Sequence, residues 1–183
     1  MEKIVVLKGG TSPEREISLV SGSEVATALR TMGYIVSEID PANYPVLSNF
    51  ITAIQNEHPL LVFNGLHGGS GENGELQATL SMAGIKYTGS NFKASCISMD
   101  KYISKLIAIA EGIPVLRYIL LREDLLVDYQ DPDDYSGFPN QLGLHIIVKP
   151  NDAGSSVGIS LSLIHIVRCR RPTLLTHTRS TSH

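Results

Sequence analysis

Apolar, β-branched runs alternate with stretches of helical period through the first half of the chain, and this alternation leaves few possible folds. Lys3 to Leu7, Ile35 to Ile39 and Leu60 to Phe63 are short runs of the strand type, and Ile85 to Tyr87 is a shorter fourth. Between the first two, Glu14 to Met32 places Ile17, Val20, Val25, Ala28 and Leu29 near helical spacing, and Gly33 follows as a stop. Leu76 to Met82 reads as another helix. Strands alternating with helices imply an α/β fold, a mostly parallel sheet with right-handed crossovers, whose ligands sit at the carboxyl ends of the strands.

A second unit begins near Asn91. It reads as a helix from about Ser98 to Glu111, an apolar stretch Val115 to Leu121, an acidic loop holding DYQDPDD, and a strand His145 to Lys149. The strand runs into the glycine-serine loop AGSSVG. With 183 residues, 43% of them apolar and 18% charged, the chain is long enough to bury one ordinary core or two small ones. No window approaches the ~18 apolar residues of a membrane span, and no signal peptide is legible. Cys96 and Cys169 show no CxxC spacing, so neither a disulfide framework nor a zinc knuckle is indicated, and a reducing cytoplasm is the expected setting.

The net charge of −3 sums two unlike parts. From Ser162 onward there are four arginines and no acid, whereas residues 1–161 carry eleven basic against eighteen acidic side chains. That terminal stretch reads either as a basic tail for an acidic partner or as a foreign segment. LSLIHIVRCRRP resembles a translated adapter of the kind used in sequencing libraries, so residues 162–183 are expected to be a non-native tail on a truncated chain. Without the tail, the central strand Ile146 to Val148 is expected to present an open edge.

Three loops could carry chemistry. KGGTSPEREIS follows the first strand, with Gly9 and Gly10 for a tight turn and Ser12-Pro13 as a helix start; an acid such as Glu14 there also suits the helix dipole. NGLHGGSGENGELQ follows the third strand and sets His67 among glycines, where a histidine is ordinarily a solvated turn residue. The last loop supplies backbone N–H groups able to curl around phosphate. It is not the P-loop pattern, since its lysine, Lys149, precedes the glycines on the strand. The first loop, KGGTSPEREIS, does not spell GxGxxG, so a dinucleotide-binding oxidoreductase is weakly supported there.

GGTSPEREIS, LHGGSGENGELQ, YTGSN, SMDK and IVKPNDAGSSVGIS occur in the order and spacing of D-alanine–D-alanine ligases, members of the ATP-grasp superfamily, and the resemblance spans residues 1 to about 161. It implies a parallel-sheet amino-terminal substrate domain over residues 1–92 and the beginning of an ATP-grasp nucleotide domain over 93–161. The implied activity is ATP-dependent joining of two D-alanines for peptidoglycan synthesis through an acyl phosphate. By motif, Glu14 binds the ammonium of the first D-alanine and Ser155 hydrogen-bonds Glu14. His67 lies by the substrate carboxyl, and Lys101 and Lys149 contact ATP phosphates under a flap of Gly154, Ser156, Val157 and Gly158.

Further expectations come with the resemblance. The full-length family works as a cytoplasmic homodimer on small molecules, with neither nucleic acid nor membrane as partner. It holds two Mg2+ ions with an Asp/Glu/Asn set that has no counterpart after Leu161, so this chain is expected to provide no metal ligands and to be inactive. A sister ligase using D-lactate or D-serine fits the same motifs. A non-catalytic protein with a nucleic-acid-binding tail is the alternative of a different class.

Overall fold

The computed structural model describes residues 2–121, 142, 146–154, 158–162 and 173–177. The chain divides into two compact units, with the division between Ser98 and Met99.

The first unit is a three-stranded parallel sheet in the order β2-β1-β3, built from β1 (Lys3–Leu7), β2 (Ile35–Ile39) and β3 (Leu61–Asn64). Alternation of side chains along β1 splits the core between its faces. Ile4 and Val6 pack with Ala26 of α1 (Arg15–Thr31), flanked by Val25, Leu29, Val36 and Phe63. On the other face Val5, Leu7, Ile39 and Val62 pack with Phe50 and Ile54 of α2 (Leu47–Asn56) and with Leu76 and Leu80 of α3 (Glu75–Met82). Val5, Val6, Leu7, Ile54, Val62 and Leu80 are fully buried, and burying each contributes roughly 1.5–3 kcal/mol. Helices on both faces of a parallel sheet are the doubly wound arrangement expected from the alternation.

Several elements differ from the sequence reading. Helix α2 is not among the expected elements, although Leu47, Phe50, Ile51 and Ile54 sit three and four residues apart; the polar, proline-containing stretch before it hides the period. Residues Ile85 to Tyr87 contribute one parallel bridge, Val62 to Tyr87, rather than a strand. The helix read as Ser98 to Glu111 is two helices, α4 (Phe92–Met99) and α5 (Lys101–Ala110). They break at Asp100, whose side chain accepts the Ile103 N–H at 2.8 Å and so caps α5.

The second unit holds a four-stranded sheet in the order β4-β7-β5-β6, from β4 (Tyr118–Leu121), β5 (Ile146–Pro150), β6 (Ser160–Ser162) and β7 (Thr173–His177). Its pairings are antiparallel. The residues joining β5 to β6, 151–159, are too few for a parallel crossover, so the chain returns beside itself. Leu121, Leu142, Ile146 and Val148 form its apolar cluster. In the whole chain β6 pairs on one side of β5 and β7, which lies within residues 162–183, on the other, so one of the two edges is covered by the terminal stretch itself. No element is expected over residues 173–177 from sequence; TLLTH is a short run with threonines around leucines, and only the neighbouring strands reveal it as β7.

Candidate functional site

The order β2-β1-β3 fixes where a ligand can enter the first unit. The chain leaves β1 toward α1 on one face of the sheet and leaves β3 toward α3 on the other. Loops 8–14 and 65–74 therefore leave adjacent strand ends at the topological switch point, the place where α/β sheets of this kind bind ligands.

Both loops are pinned from below. Gly9 and Gly10 have φ of 82° and 77°, the left-handed region that glycine enters freely, and a Cβ on Gly9 would stand 2.7 Å from Asp40 Oδ2. Asp40 accepts the Gly10 N–H at 3.0 Å and the Ala42 N–H at 2.9 Å, and pairs with Arg15 Nη2 at 2.6 Å. Burial works to raise the Asp40 pKa, but the hydrogen bonds from Arg15, Gly10 and Ala42 outweigh it and hold the carboxyl below its ordinary value. Ser18 is fully buried in the first turn of α1. It accepts the Gly9 N–H at 2.9 Å and donates to the Gly65 carbonyl at 2.6 Å, tying one loop to the other.

Glu14 and His67 meet above this anchorage. Glu14 occupies the cap position of α1, and its N–H donates to Ser12 Oγ at 3.1 Å. Ser12 thus acts one turn before the helix, not as its cap. The same hydroxyl donates to the His67 carbonyl at 2.5 Å, so it joins Glu14 to the histidine loop. A Cβ on Gly68 would stand 2.7 Å from Glu14 Oε1. Glu14 is only 8% exposed, yet among the described residues its carboxylate has no hydrogen-bond or ion-pair partner. The His67 ring shares a 2.9 Å hydrogen bond between Nε2 and Ser21 Oγ.

The second unit gathers cations. Lys101 is the first residue of α5, where a positive charge opposes the helix dipole. Its ammonium donates to the Asn151 carbonyl at 3.2 Å and to the Ala153 carbonyl, while Asn151 Oδ1 accepts the Tyr102 N–H at 2.9 Å. Burial lowers the Lys101 pKa, and the nearby charge of Lys149 lowers it further against the opposing pull of Asp152 and Asp100. Burial and Lys149 also lower that of Lys105, whose ammonium lies 5.2 Å from the Tyr118 ring centroid. Among the described residues these two carbonyls are the acceptors of the Lys101 ammonium, and its charge is offset only by the nearby Asp152 and Asp100.

Gly154 follows directly on the Ala153 carbonyl, and Gly158 has φ of 73° with its Cα against Pro150. Ser155, Ser156 and Val157 lie outside the described residues. Among the described residues no group of three or more His, Cys, Asp or Glu side chains could hold a metal ion. No helix among them is long and apolar enough to cross a membrane.

Glu14, His67, Lys101 and Lys149 are named from the sequence; Ser18, Ser21, Asp40 and Asn151, which the structure places in hydrogen bonds around them, are not. Only the residue type of Asp40, an acid just after a strand, offers a local signal.

No family model matches the chain. A D-alanine–D-alanine ligase of Coprothermobacter proteolyticus is 46% identical over 158 residues, 86% of this chain and 49% of that protein. One from Actinobacillus pleuropneumoniae serotype 5b is 43% identical over 159 residues, 87% of this chain and 49% of that protein. The chain spans about half the length of the curated relatives it matches. Among solved structures, D-alanine–D-alanine ligase from Bacillus anthracis superposes with a TM-score of 0.78 at 28% identity, over 98% of this chain and 58% of that one. The same Bacillus anthracis enzyme complexed with ATP gives 0.75 at 26% identity, over 98% of this chain and 60% of that one.

Proposed function

The chain is a relative of the D-alanine–D-alanine ligases, matching them over half their length, and from that kinship we propose that it carries the first-substrate site and part of the phosphate site of an ATP-dependent ligase joining two D-alanines. The observation that carries this reading is Glu14. The residue is 8% exposed, its carboxylate oxygens are not among the fully buried atoms that lack a partner, and no described residue pairs with them, so they are left free to accept from a ligand. A carboxylate in a half-shielded site gains most from a charged donor, and the ammonium of an amino acid is such a donor.

His67, on the loop tied to Glu14 through Ser12, is suited to the other end of that amino acid, its carboxylate. The site thus has an acid for the ammonium and an imidazole for the carboxylate. A carboxylate is a poor electrophile, and ATP supplies the chemistry that makes it reactive, an acyl phosphate attacked by the amine of the second D-alanine. The residues of this chain bind and orient. Lys101 and Lys149, like charges crowded at the stem of the Gly154 loop, attract phosphate oxygens, and Gly154 and Gly158 give the loop freedom to lie over them. Ser156 and Val157 lie between these two glycines in the sequence. Anionic charge developing during the transfer is met by these cations and backbone dipoles.

Mg2+, which the full-length family holds, has no candidate ligand cluster among the described residues. As part of this reading, the chain by itself is expected to give no turnover. The cytoplasm is the setting where ATP and free D-alanine meet, and the homodimer of the full-length family is the expected assembly.

Calorimetric titration of D-alanine into the chain tests the substrate site. Binding that disappears in Glu14→Gln supports the reading; equal binding by both, or none by the unaltered folded chain, rejects it. A phosphate-release assay with ATP and D-alanine should stay at background.

A further inference from the structure

Ser21 lies on α1, one turn beyond the serine that ties the two loops together, and its hydroxyl reaches His67 Nε2 at 2.9 Å. A serine has one proton to donate. The other acceptor within reach of Ser21 is the Ser18 carbonyl at 3.5 Å, far beyond the ~2.7–2.8 Å usual for O–H···O bonds. Among the described residues the ring nitrogen is therefore the better-placed acceptor for that proton. A neutral imidazole that accepts at Nε2 carries its own proton at Nδ1. Among the described residues Nδ1 has no partner.

We propose that Ser21 is a positioning residue that selects the Nδ1–H tautomer of His67, so that the ring presents an N–H donor to an anionic group at this site. The inference rests on the substrate reading above for what that anion is, a carboxylate, but not for the tautomer itself. The backbone of the histidine is fixed separately, since its carbonyl accepts from Ser12 Oγ at 2.5 Å. With ring and backbone both held by serines, the imidazole is ordered before any ligand arrives, which lowers the entropy lost on binding. The polarity matters because a carboxylate can only accept: the opposite tautomer would set a lone pair against it at Nδ1.

The test is long-range 1H–15N NMR of the full chain with 15N-histidine, in the absence of ligand and well above the usual imidazole pKa of about 6.5. His67→Gln identifies the resonances. The expected result is Nδ1–H in the unaltered chain, a shift of at least about fivefold toward Nε2–H in Ser21→Ala, and return of Nδ1–H in Ser21→Thr, which restores the hydroxyl. An Nε2–H tautomer in the unaltered chain, or the same tautomer in it and Ser21→Ala, overturns the proposal. Alanine is a better helix former than serine, so loss of α1 would not explain a change. Added D-alanine separates the two readings. If the tautomer switches with Ser21 but D-alanine leaves the His67 resonances unmoved, the Ser21 assignment stands and the substrate reading falls.

Discussion

Gly68 and Glu14 are packed so closely that a Cβ on the glycine would stand 2.7 Å from Oε1 of the acid. Gly68 also has φ of 66° and ψ of 175°, a region that residues with a Cβ scarcely enter. Gly68→Ala should therefore both strain the loop and displace the Glu14 carboxylate. We expect about 1–3 kcal/mol of lost stability by urea unfolding and loss of D-alanine binding. Gly84, also at positive φ but with open space within 4 Å of where a Cβ would stand, is the control: Gly84→Ala should cost stability and leave binding unchanged.

Ser18→Ala removes an acceptor from the Gly9 N–H and a donor from the Gly65 carbonyl at a fully buried position. Each polar group left buried without a partner costs about 1–3 kcal/mol. Denaturant unfolding should show a loss on the order of 3 kcal/mol, whereas Thr27→Ala, which removes an exposed hydroxyl bonded to the Ser23 carbonyl on the same helix, should be within about 0.5 kcal/mol of the unaltered chain.

Acid should weaken the first unit through Asp40 and Glu38. Lys8 holds the Glu38 pKa down, against burial and with help from Arg30, and Asp40 is held down as described. Carboxyls depressed in the folded state contribute stability that is present above their unfolded pKa values, about 3.9–4.3, and is lost as pH falls through the folded values. Thermal unfolding followed downward from pH 5 should show a falling Tm. Asp40→Asn should lower Tm at neutral pH and flatten its dependence below pH about 4.

Lys101 should titrate below the ordinary lysine value of about 10.4, with its burial the largest cause. Removing the like charge in Lys149→Met should raise that pKa, and saturating phosphate should raise it as well. NMR of the lysine side chain reads both effects. An unaltered titration in Lys149→Met would separate the two lysines and remove the basis for a shared anion site.

How much of the fold and site is legible in the sequence depends on how local each signal is. The strands of the first unit are written in β-branched runs, and Lys3 to Leu7 appears at its expected bounds. Glu14 and His67 stand out because each follows a strand on a glycine-bearing loop. Ser18 and Ser21 do not, since a serine inside a helix has no distinguishing local pattern. Their meaning arises only when the crossover from β3 lays Gly65 and His67 against α1. The antiparallel sheet of the second unit is hidden for a related reason: β5 is an ordinary apolar segment and β6, the three residues SLS, has no strand signal until the short connection at 151–159 brings the chain back on itself.

The central claim is that residues 1–161 carry the first-substrate and phosphate-contacting half of a ligase. A chimera tests it most directly: residues 1–161 of this chain joined in register to the carboxy-terminal half of the Coprothermobacter proteolyticus relative, assayed for phosphate release dependent on both ATP and D-alanine. The account predicts turnover that falls at least about a hundredfold in Glu14→Gln, the loss of one charge-paired contact in a dry site. A folded, ATP-binding chimera that releases no phosphate with D-alanine, or one that turns over equally well with Glu14→Gln, would contradict it.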